Sequence, residues 1–447
     1  MDHYLHLKDL LESGRALVGI VGLGYVGLPL AHAFVEGGAR VLGFDIDAKK
    51  IESLARGQTY LKHLGADFAR SMNESGRFSA TADFSRLAEP DAVIVCLPTP
   101  LTAGRHPDLS YVIRAAEQIG AALRPGQLII LGSTTYPGTT RNEFAAAIAR
   151  GASRAGSRLT LGSDYWIAYS PEREDPGRAT HTTRTIPKLV GGLDDTSRDL
   201  AAGLYRCAIK EIIPVSSAEV AEAAKLLENI YRAVNIALAN EMKLVLEAMG
   251  IDVWEVIRAA ATKPFGFVPF WPGPGLGGHC IPIDPFYLSH KAREAGREAR
   301  FIELAGEVNT AMPTHVVARL ESALRAGGKR IEGSRVLVLG LAYKADIDDV
   351  RESPSAEIIR LLKSRSARVE YSDPHVPATW AGRAGDLGMK SIALDARTIE
   401  SFDALVLATN HSAFDHALIA RHARLIIDTR DAFRAFEKEL GPRLIRA

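Results

Sequence analysis

The chain has 447 residues, enough for more than one domain, and its 47% hydrophobic and 24% charged residues are ordinary for a globular protein with real cores. Its 54 basic and 53 acidic side chains leave a net charge of +1. That balance argues against nucleic acid or an anionic membrane as partner, while leaving room for a small anionic substrate held by a few Arg and Lys in one cleft.

The N-terminal stretch Met1 to Ala16 is mixed and polar, with no apolar core of a signal peptide. No run of about 20 apolar residues follows anywhere, so no spanning helix is expected. Residues Leu17 to Gly22 form an apolar run that enters Gly22-Leu23-Gly24-Tyr25-Val26-Gly27. Pro29 to Glu36 then read as a helix, and Arg40 to Asp45 as the next strand, which makes a β-α-β unit. Gly22 permits the tight turn, Gly24 lets the backbone approach a pyrophosphate, and Gly27 lets the helix pack on the strand. The amides of Tyr25 and Val26 belong to the same loop. Asp45 ends the second strand, where a carboxylate accepts from a ribose 2′-hydroxyl, which favours NAD over NADP. Lys49 and Lys50 weaken that preference, since a nearby base suits a 2′-phosphate.

Further apolar runs, Ala92 to Leu97, Gln127 to Gly132, Tyr165 to Ala168 and Lys188 to Gly191, suggest buried parallel strands in a doubly wound sheet over roughly the first 210 residues. The character changes at Ser216. Ala218 to Met249 is one long helical pattern, apolar on more than one side through Leu226, Leu227, Ile230, Val234, Leu238, Met242 and Val245. Such a helix is expected to be buried from several directions, as a domain spine or a dimer interface. A shorter helix, Asp252 to Ala261, precedes a Gly/Pro-rich loop, Pro264 to Pro282, and another helix begins at Pro285. From Arg335 the alternation resumes, with strands at Arg335 to Gly340, Arg368 to Asp373, Ala404 to Thr409 and Leu425 to Asp428. The fold class is therefore α/β, with two Rossmann-like domains joined by a long central helix and a small helical domain. The expected boundaries are 1–215, 216–325 and 326–447.

The three cysteines, Cys96, Cys207 and Cys280, are far apart and odd in number. They form neither a zinc spacing nor a disulfide scaffold, so no metal site is expected and a reducing, cytoplasmic compartment fits. Cys96 and Cys207 read as inert core side chains. Cys280 lies in Gly277-Gly278-His279-Cys280-Ile281-Pro282, a loop too rich in Gly and Pro to be a packed helix or strand. By that context alone, a nucleophile and a structural thiol are equally good readings. Gly277 and Gly278 leave room for a ligand to approach the backbone. Asp284, before Pro285, suits an ordinary helix start. Lys225 and Asn229 are four apart and share a helix face, a spacing that on its own favours an exposed polar pair. Glu172 and Thr134 sit where loops leave strand ends, the place where α/β sheets bind ligands.

Taken together, the segments Gly22 to Leu30 (GLGYVGLPL), Ser170 to Glu172 (SPE), Lys225 to Asn229 (KLLEN), Gly277 to Asp284 (GGHCIPID) and Lys344 to Ser353 (KADIDDVRES) resemble the UDP-glucose/GDP-mannose dehydrogenase family over nearly the whole chain. The resemblance implies NAD as cofactor, a homodimer built on the long helix, and a four-electron oxidation of a sugar CH2OH to a carboxylate. It implies Cys280 as nucleophile, Lys225 and Asn229 as oxyanion stabilisers, and Asp284 with Thr134 as the pair handling a water or proton. By the same resemblance Glu172 serves thioester hydrolysis, Thr99 and Arg351 join Asp45 and Lys50 at the cofactor, and Lys344 and Arg430 contact the nucleotide sugar. The stretch from Lys263 to Gly275 resembles the UDP-N-acetylhexosamine branch, most of all UDP-N-acetylglucosamine 6-dehydrogenases, which adds Phe270 and Gly277 as substrate contacts. UDP-glucose, UDP-N-acetylmannosamine and GDP-mannose remain alternatives. More remote readings are a two-electron β-hydroxyacid dehydrogenase, which needs neither the cysteine nor a third domain, and a non-catalytic NAD-binding protein.

Overall fold

A computed structural model describes residues 2–61, 64–102, 104, 106–174, 182–278, 281–379 and 386–447. The chain forms two compact units, one of Met1–Glu228 with Phe286–Arg297 and one of Asn229–Pro285 with Glu298–Ala447. Each is built on its own sheet.

In the first unit the strands are β1 (Leu17–Val21), β2 (Arg40–Phe44), β3 (Phe78–Thr81), β4 (Ala92–Val95), β5 (Gln127–Leu131), β6 (Tyr165–Tyr169), β7 (Lys188–Gly192) and β8 (Ile212–Pro214). They pair in the order β3-β2-β1-β4-β5-β6-β7-β8, parallel throughout except between β6 and β7. The central strands are unbroken apolar runs because both faces are covered. Val18, Ile20, Ile94, Leu128 and Ile130 enter one core, and Val21, Val93, Val95, Ile129 and Leu131 enter the other.

The second unit repeats the scheme with β9 (Arg335–Leu339), β10 (Arg368–Ser372), β11 (Ala404–Leu407), β12 (Ile426–Asp428) and β13 (Leu444–Arg446), all parallel in the order β10-β9-β11-β12-β13. In both sheets the strand order reverses beside the first strand, between β1 and β4 and between β9 and β11. Ligands of open α/β sheets bind outside the strand ends at such a reversal.

Some elements go beyond the sequence reading. β3, β8 and β13 are sheet edges that are only partly buried, so they lack the apolar run of a central strand. The polar N-terminus forms the helix His3–Glu12, whose start is capped by the Asp2 carboxylate and which buries Leu7 and Leu11. A 27-residue helix, Arg300–Ala326, carries Pro313 in its interior, a residue that normally ends a helix. It persists because Met312, Val316, Val317, Leu320 and Leu324 are buried.

The long helix spans Ala218–Ala248, 31 residues. The expectation that it is buried from several directions does not hold within one chain. Leu226 is buried, whereas Leu227, Tyr231, Leu238, Met242 and Val245 are exposed. These exposed positions recur at helical spacing along one stripe, so the second apolar face exists but is left uncovered.

One device occurs in both sheets. After β1 the chain turns at Gly22 (φ +93°), and its N–H donates to Phe44 O at the end of β2. Asp45, the next residue, accepts from Leu23 N at 3.0 Å. After β9 it turns at Gly340 (φ +83°), whose N–H donates to Ser372 O at the end of β10. Asp373, the next residue, accepts from Leu341 N at 2.6 Å and Ala342 N at 2.9 Å. Buried His411 meets that same oxygen, Oδ2, at 3.0 Å, and Oδ1 accepts from His375 N and Val376 N. Burial pulls the Asp373 pKa up, but His411 and these amides outweigh it and hold the carboxyl at about 2, below its ordinary 3.8.

A depressed acid pKa stabilises the fold above the unfolded value, and that contribution is lost as pH falls through the folded value. Asp373→Asn is therefore expected to cost roughly 2 kcal/mol at neutral pH. Urea denaturation of both proteins should show the deficit shrinking as pH falls through about 2. A deficit independent of pH would contradict this electrostatic account.

Candidate active site

The cofactor candidates of the first unit gather around the loop after β1. The helix Gly27–Glu36 starts there with no side-chain cap, and a Cβ on Gly24 would meet nothing within 4 Å. An uncapped helix start beside open backbone suits a pyrophosphate. Gly27 is obligatory for another reason, since a Cβ there would lie 1.8 Å from Gly22 O. Tyr25 and Val26, between them, are half-buried. Asp45 is buried, and Lys50 Nζ sits 3.0 Å from its Oδ2. Lys50 is thus committed to that carboxylate, which the sequence reading did not foresee. Tyr60, which no sequence motif marks, donates its hydroxyl to Leu23 O and lies under the Lys50 ammonium. Burial, then Asp45 and Asp47, raise its pKa, so it remains a phenol.

The strand-end candidates come together in part. Thr99, buried after β4, donates its hydroxyl to Thr134 O at 2.8 Å after β5, and Tyr287 donates to Thr99 O at 2.6 Å. Glu172, after β6, accepts from Lys188 Nζ at 2.9 Å and from the amides of Arg173 and Glu174. Burial pulls its pKa up, but the Lys188 charge and these hydrogen bonds hold it below the usual carboxylate range. Glu172 is therefore ionised at neutral pH. Burial pushes the Cys96 thiol up to about 12, with nearby Lys188 opposing, which fits the inert role expected of it. Half-buried Cys207 donates to Leu204 O at 3.2 Å, and burial raises its pKa as well.

On the long helix, Lys225 and Asn229 are 8% and 6% exposed. The exposed polar pair that spacing alone favoured is thereby ruled out. Lys225 has no hydrogen-bond or ion-pair partner among the described residues. Asn229 Nδ2 donates to Asp284 Oδ2 at 2.6 Å, and Asp284 is buried at the first position of the helix Asp284–Glu294. Cys280 and His279 lie outside the described residues.

The Gly/Pro-rich loop before Cys280 is held by buried amides. Gly273 N donates to Asn240 Oδ1 at 2.9 Å, Asn240 Nδ2 to Asn309 Oδ1 at 2.8 Å, and Asn309 Nδ2 to Ala233 O at 3.1 Å. Gly277 and Gly278, expected to make room for a ligand, are also required by the packing of the chain itself. A Cβ on Gly277 would lie 2.5 Å from the Tyr343 Cβ, and one on Gly278 would lie 2.9 Å from its ring. Phe270 packs edge-on against Tyr231, with ring centroids 5.6 Å apart.

The remaining candidates belong to the second unit. Lys344 is half-buried in the loop after β9. Arg351 grips Asp349 through Nε and Nη2, and its carbonyl accepts from Gly278 N. Arg430, after β12, donates Nε to Ala408 O at 2.9 Å, and its Nη1 would lie 2.6 Å from a Cβ on Gly273. Burial lowers its pKa to about 10, with Asp428 opposing, so it stays cationic at neutral pH. The next residue, Asp431, is anchored by Arg258 and Arg446, a support that no motif in the sequence signals.

Three successive segments match the UDP-glucose/GDP-mannose dehydrogenase family. Residues 16–209 match its NAD binding domain, 219–311 its central domain and 337–435 its UDP binding domain. A UDP-N-acetyl-D-glucosamine 6-dehydrogenase from Pseudomonas aeruginosa is 36% identical over 404 residues, 89% of this chain and 91% of the relative. A UDP-N-acetyl-D-mannosamine dehydrogenase from Pyrococcus horikoshii is 34% identical over 400 residues, 89% of this chain and 90% of the relative. The solved structure of a UDP-glucose dehydrogenase from Pyrobaculum islandicum superposes with a TM-score of 0.83 at 29% identity, covering 93% of this chain and 94% of that one. No helix among the described residues is long and apolar enough to cross a membrane. The chain belongs to the UDP-glucose/GDP-mannose dehydrogenase family and is an NAD-dependent nucleotide-sugar dehydrogenase.

Proposed function

We propose that this enzyme oxidises C6 of UDP-N-acetylglucosamine from CH2OH to carboxylate through a thioester on Cys280. The observation that carries the reading is the buried polar set on the long helix. Lys225 is sequestered with no partner among the described residues, and Asn229 donates to Asp284, four residues beyond Cys280. Burying a lysine away from a partner is costly, and a site that stabilises a developing oxyanion gives a reason to bear that cost. The choice of sugar follows the loop from Lys263 to Gly275 and the 36% identity to a relative named for that substrate.

Two NAD molecules, bound in turn, would each accept one hydride. Removal of the first leaves an aldehyde at C6 and releases a proton. The Cys280 thiolate adds to that carbon, forming a C–S bond and moving the carbonyl pair onto oxygen. Lys225 and the Asn229 amide stabilise this oxyanion, and the Lys225 charge also favours the thiolate. Loss of the second hydride collapses the adduct to a thioester. Water, oriented by Asp284, Thr134 and ionised Glu172, then cleaves the C–S bond and returns the thiol.

Tyr25, Val26, Asp45, Lys50, Thr99 and Arg351 are assigned to the cofactor; Phe270, Gly277, Lys344 and Arg430 are assigned to the nucleotide sugar. The functional segments are 1–215, 216–325 and 326–447, acting in the cytoplasm. The exposed stripe Leu227, Tyr231, Leu238, Met242 and Val245 is assigned to a second copy of the chain, because a contiguous apolar stripe of this length is costly to leave in water. Sedimentation at working concentration should find a dimer, and a fully active monomer would contradict that assignment.

Two substitutions separate binding from chemistry. Asp45→Ala removes the ribose acceptor and also frees Leu23 N, so NAD affinity should fall about ten- to a hundredfold. Cys280→Ser should leave NAD and UDP-N-acetylglucosamine binding in place while turnover falls by several orders of magnitude, since a neutral hydroxyl is a far weaker nucleophile. Both are measured by calorimetry and NADH absorbance on a panel of nucleotide sugars, with UDP-N-acetylglucosamine giving the highest kcat/KM. Near-normal turnover in Cys280→Ser would overturn the thioester path, and a higher kcat/KM for another sugar would overturn the substrate assignment.

A further inference from the structure

The second sheet brings together three side chains to which the proposed chemistry assigns no role. Asp346 lies in the loop after β9, His375 in the loop after β10 and His411 in the loop after β11, at the ends of three adjacent strands. His375 Nε2 is 3.7 Å from Asp346 Oδ1, and His411 Nδ1 is 3.9 Å from the same oxygen. All three ligand atoms lie within 4.8 Å of one another. Ligands of a tetrahedral zinc ion bound at about 2.0–2.1 Å are separated by roughly 3.3 Å, so a small contraction of the loops closes this set around an ion.

Each donor is prepared independently. Asp373 Oδ2 faces His411 Nε2 at 3.0 Å, and this buried carboxylate fixes the ring N–H on Nε2. The lone pair is therefore on Nδ1, where it accepts from Asp346 N at 3.0 Å. A carboxylate behind the far nitrogen is the usual support of a metal-binding histidine. An incoming ion displaces the Asp346 amide from that lone pair, and because Asp346 is exposed, water takes up the freed N–H. His375 Nε2 is shielded from solvent and has no hydrogen-bond partner among the described residues, while its backbone N–H is tied to Asp373 Oδ1 at 2.8 Å. Asp346 Oδ1 is oriented by Ser412 N and Oγ, both at 2.9 Å.

We propose that Asp346, His375 and His411 bind one divalent transition-metal ion of the zinc type. Two imidazole nitrogens and one carboxylate oxygen select against calcium and magnesium, which require oxygen cages. The fourth position is open to water. The ion would clasp three strand-end loops of the UDP binding domain, one of which carries Lys344 two residues before Asp346. The absence of metal-ligand spacing in the sequence is accounted for, because the three residues are brought together only by the sheet.

The test uses the full-length chain in a Cys280→Ala background, which removes the loop thiol as a competing ligand. After chelator treatment, cobalt(II) is titrated by visible absorption and zinc by equilibrium dialysis. His375→Ala and Asp346→Asn are compared with the parent, because His411 is packed on buried Asp373 and its loss endangers folding. The expected result is one tight ion per chain with a tetrahedral cobalt spectrum, at least tenfold weaker in both variants, and a zinc-induced rise in Tm confined to the parent. Absence of binding, or equal affinity in parent and His375→Ala, overturns the proposal.

Discussion

A chain that leaves a parallel strand to enter the next helix must reverse sharply, and that reversal exposes amides at the strand end. The backbone solves the first problem with positive φ at Gly22 and Gly340, a conformation costly for any other residue. It solves the second with a carboxylate from the neighbouring strand, Asp45 on Leu23 N and Asp373 on Leu341 N. The rest of each unit depends on this clamp, because it sets where the strand-end loops lie at the reversal of strand order. In the first sheet it leaves an open helix start beside Gly24. In the second it anchors the loops that carry Lys344, His375 and His411.

The same logic governs the polar groups held in the interior. Glu222 accepts from Thr135, Gly138 and Thr140 and so fixes the loop that follows β5 and Thr134. Burial pushes it up to about 7 while those donors oppose, so it is a hydrogen-bonded anchor whose charge is only weakly favoured. Asn240 and Asn309 do the equivalent for the Gly/Pro-rich loop at Gly273. A buried amide pair carries no net charge and so avoids the desolvation that an ion pair would incur there. Loops rich in Gly and Pro, with little helix or sheet of their own, are thereby given defined positions.

Central strands were legible in the sequence because both of their faces are buried, which writes the strand as an unbroken apolar run such as Leu128 to Leu131. Edge strands β3, β8 and β13 bury less and left no such run. The helix around Pro313 was hidden because its stability comes from tertiary contacts rather than local propensity. The glycine loop, Asp45 and the Lys225–Asn229 spacing could be read directly, and their burial could not. The environment of Asp284, the commitment of Lys50 to Asp45, and the Asp346–His375–His411 group depend on loops far apart in sequence. Periodicity carries no information about such pairs, since each partner alone resembles an ordinary turn residue. Gly277 shows two demands on one residue, since a glycine ascribed to ligand approach also has to clear the Tyr343 side chain.

In the proposed mechanism one site removes two hydrides from a single carbon, with Cys280 holding the sugar between the two oxidations. This mechanism is tested most directly by counting NADH formed against UDP-N-acetylglucosamine consumed under limiting substrate, with the product identified by mass spectrometry. Two NADH per sugar and a 6-carboxylate are expected, with no free aldehyde accumulating. One NADH per sugar, with an aldehyde or ketone product, would contradict the mechanism.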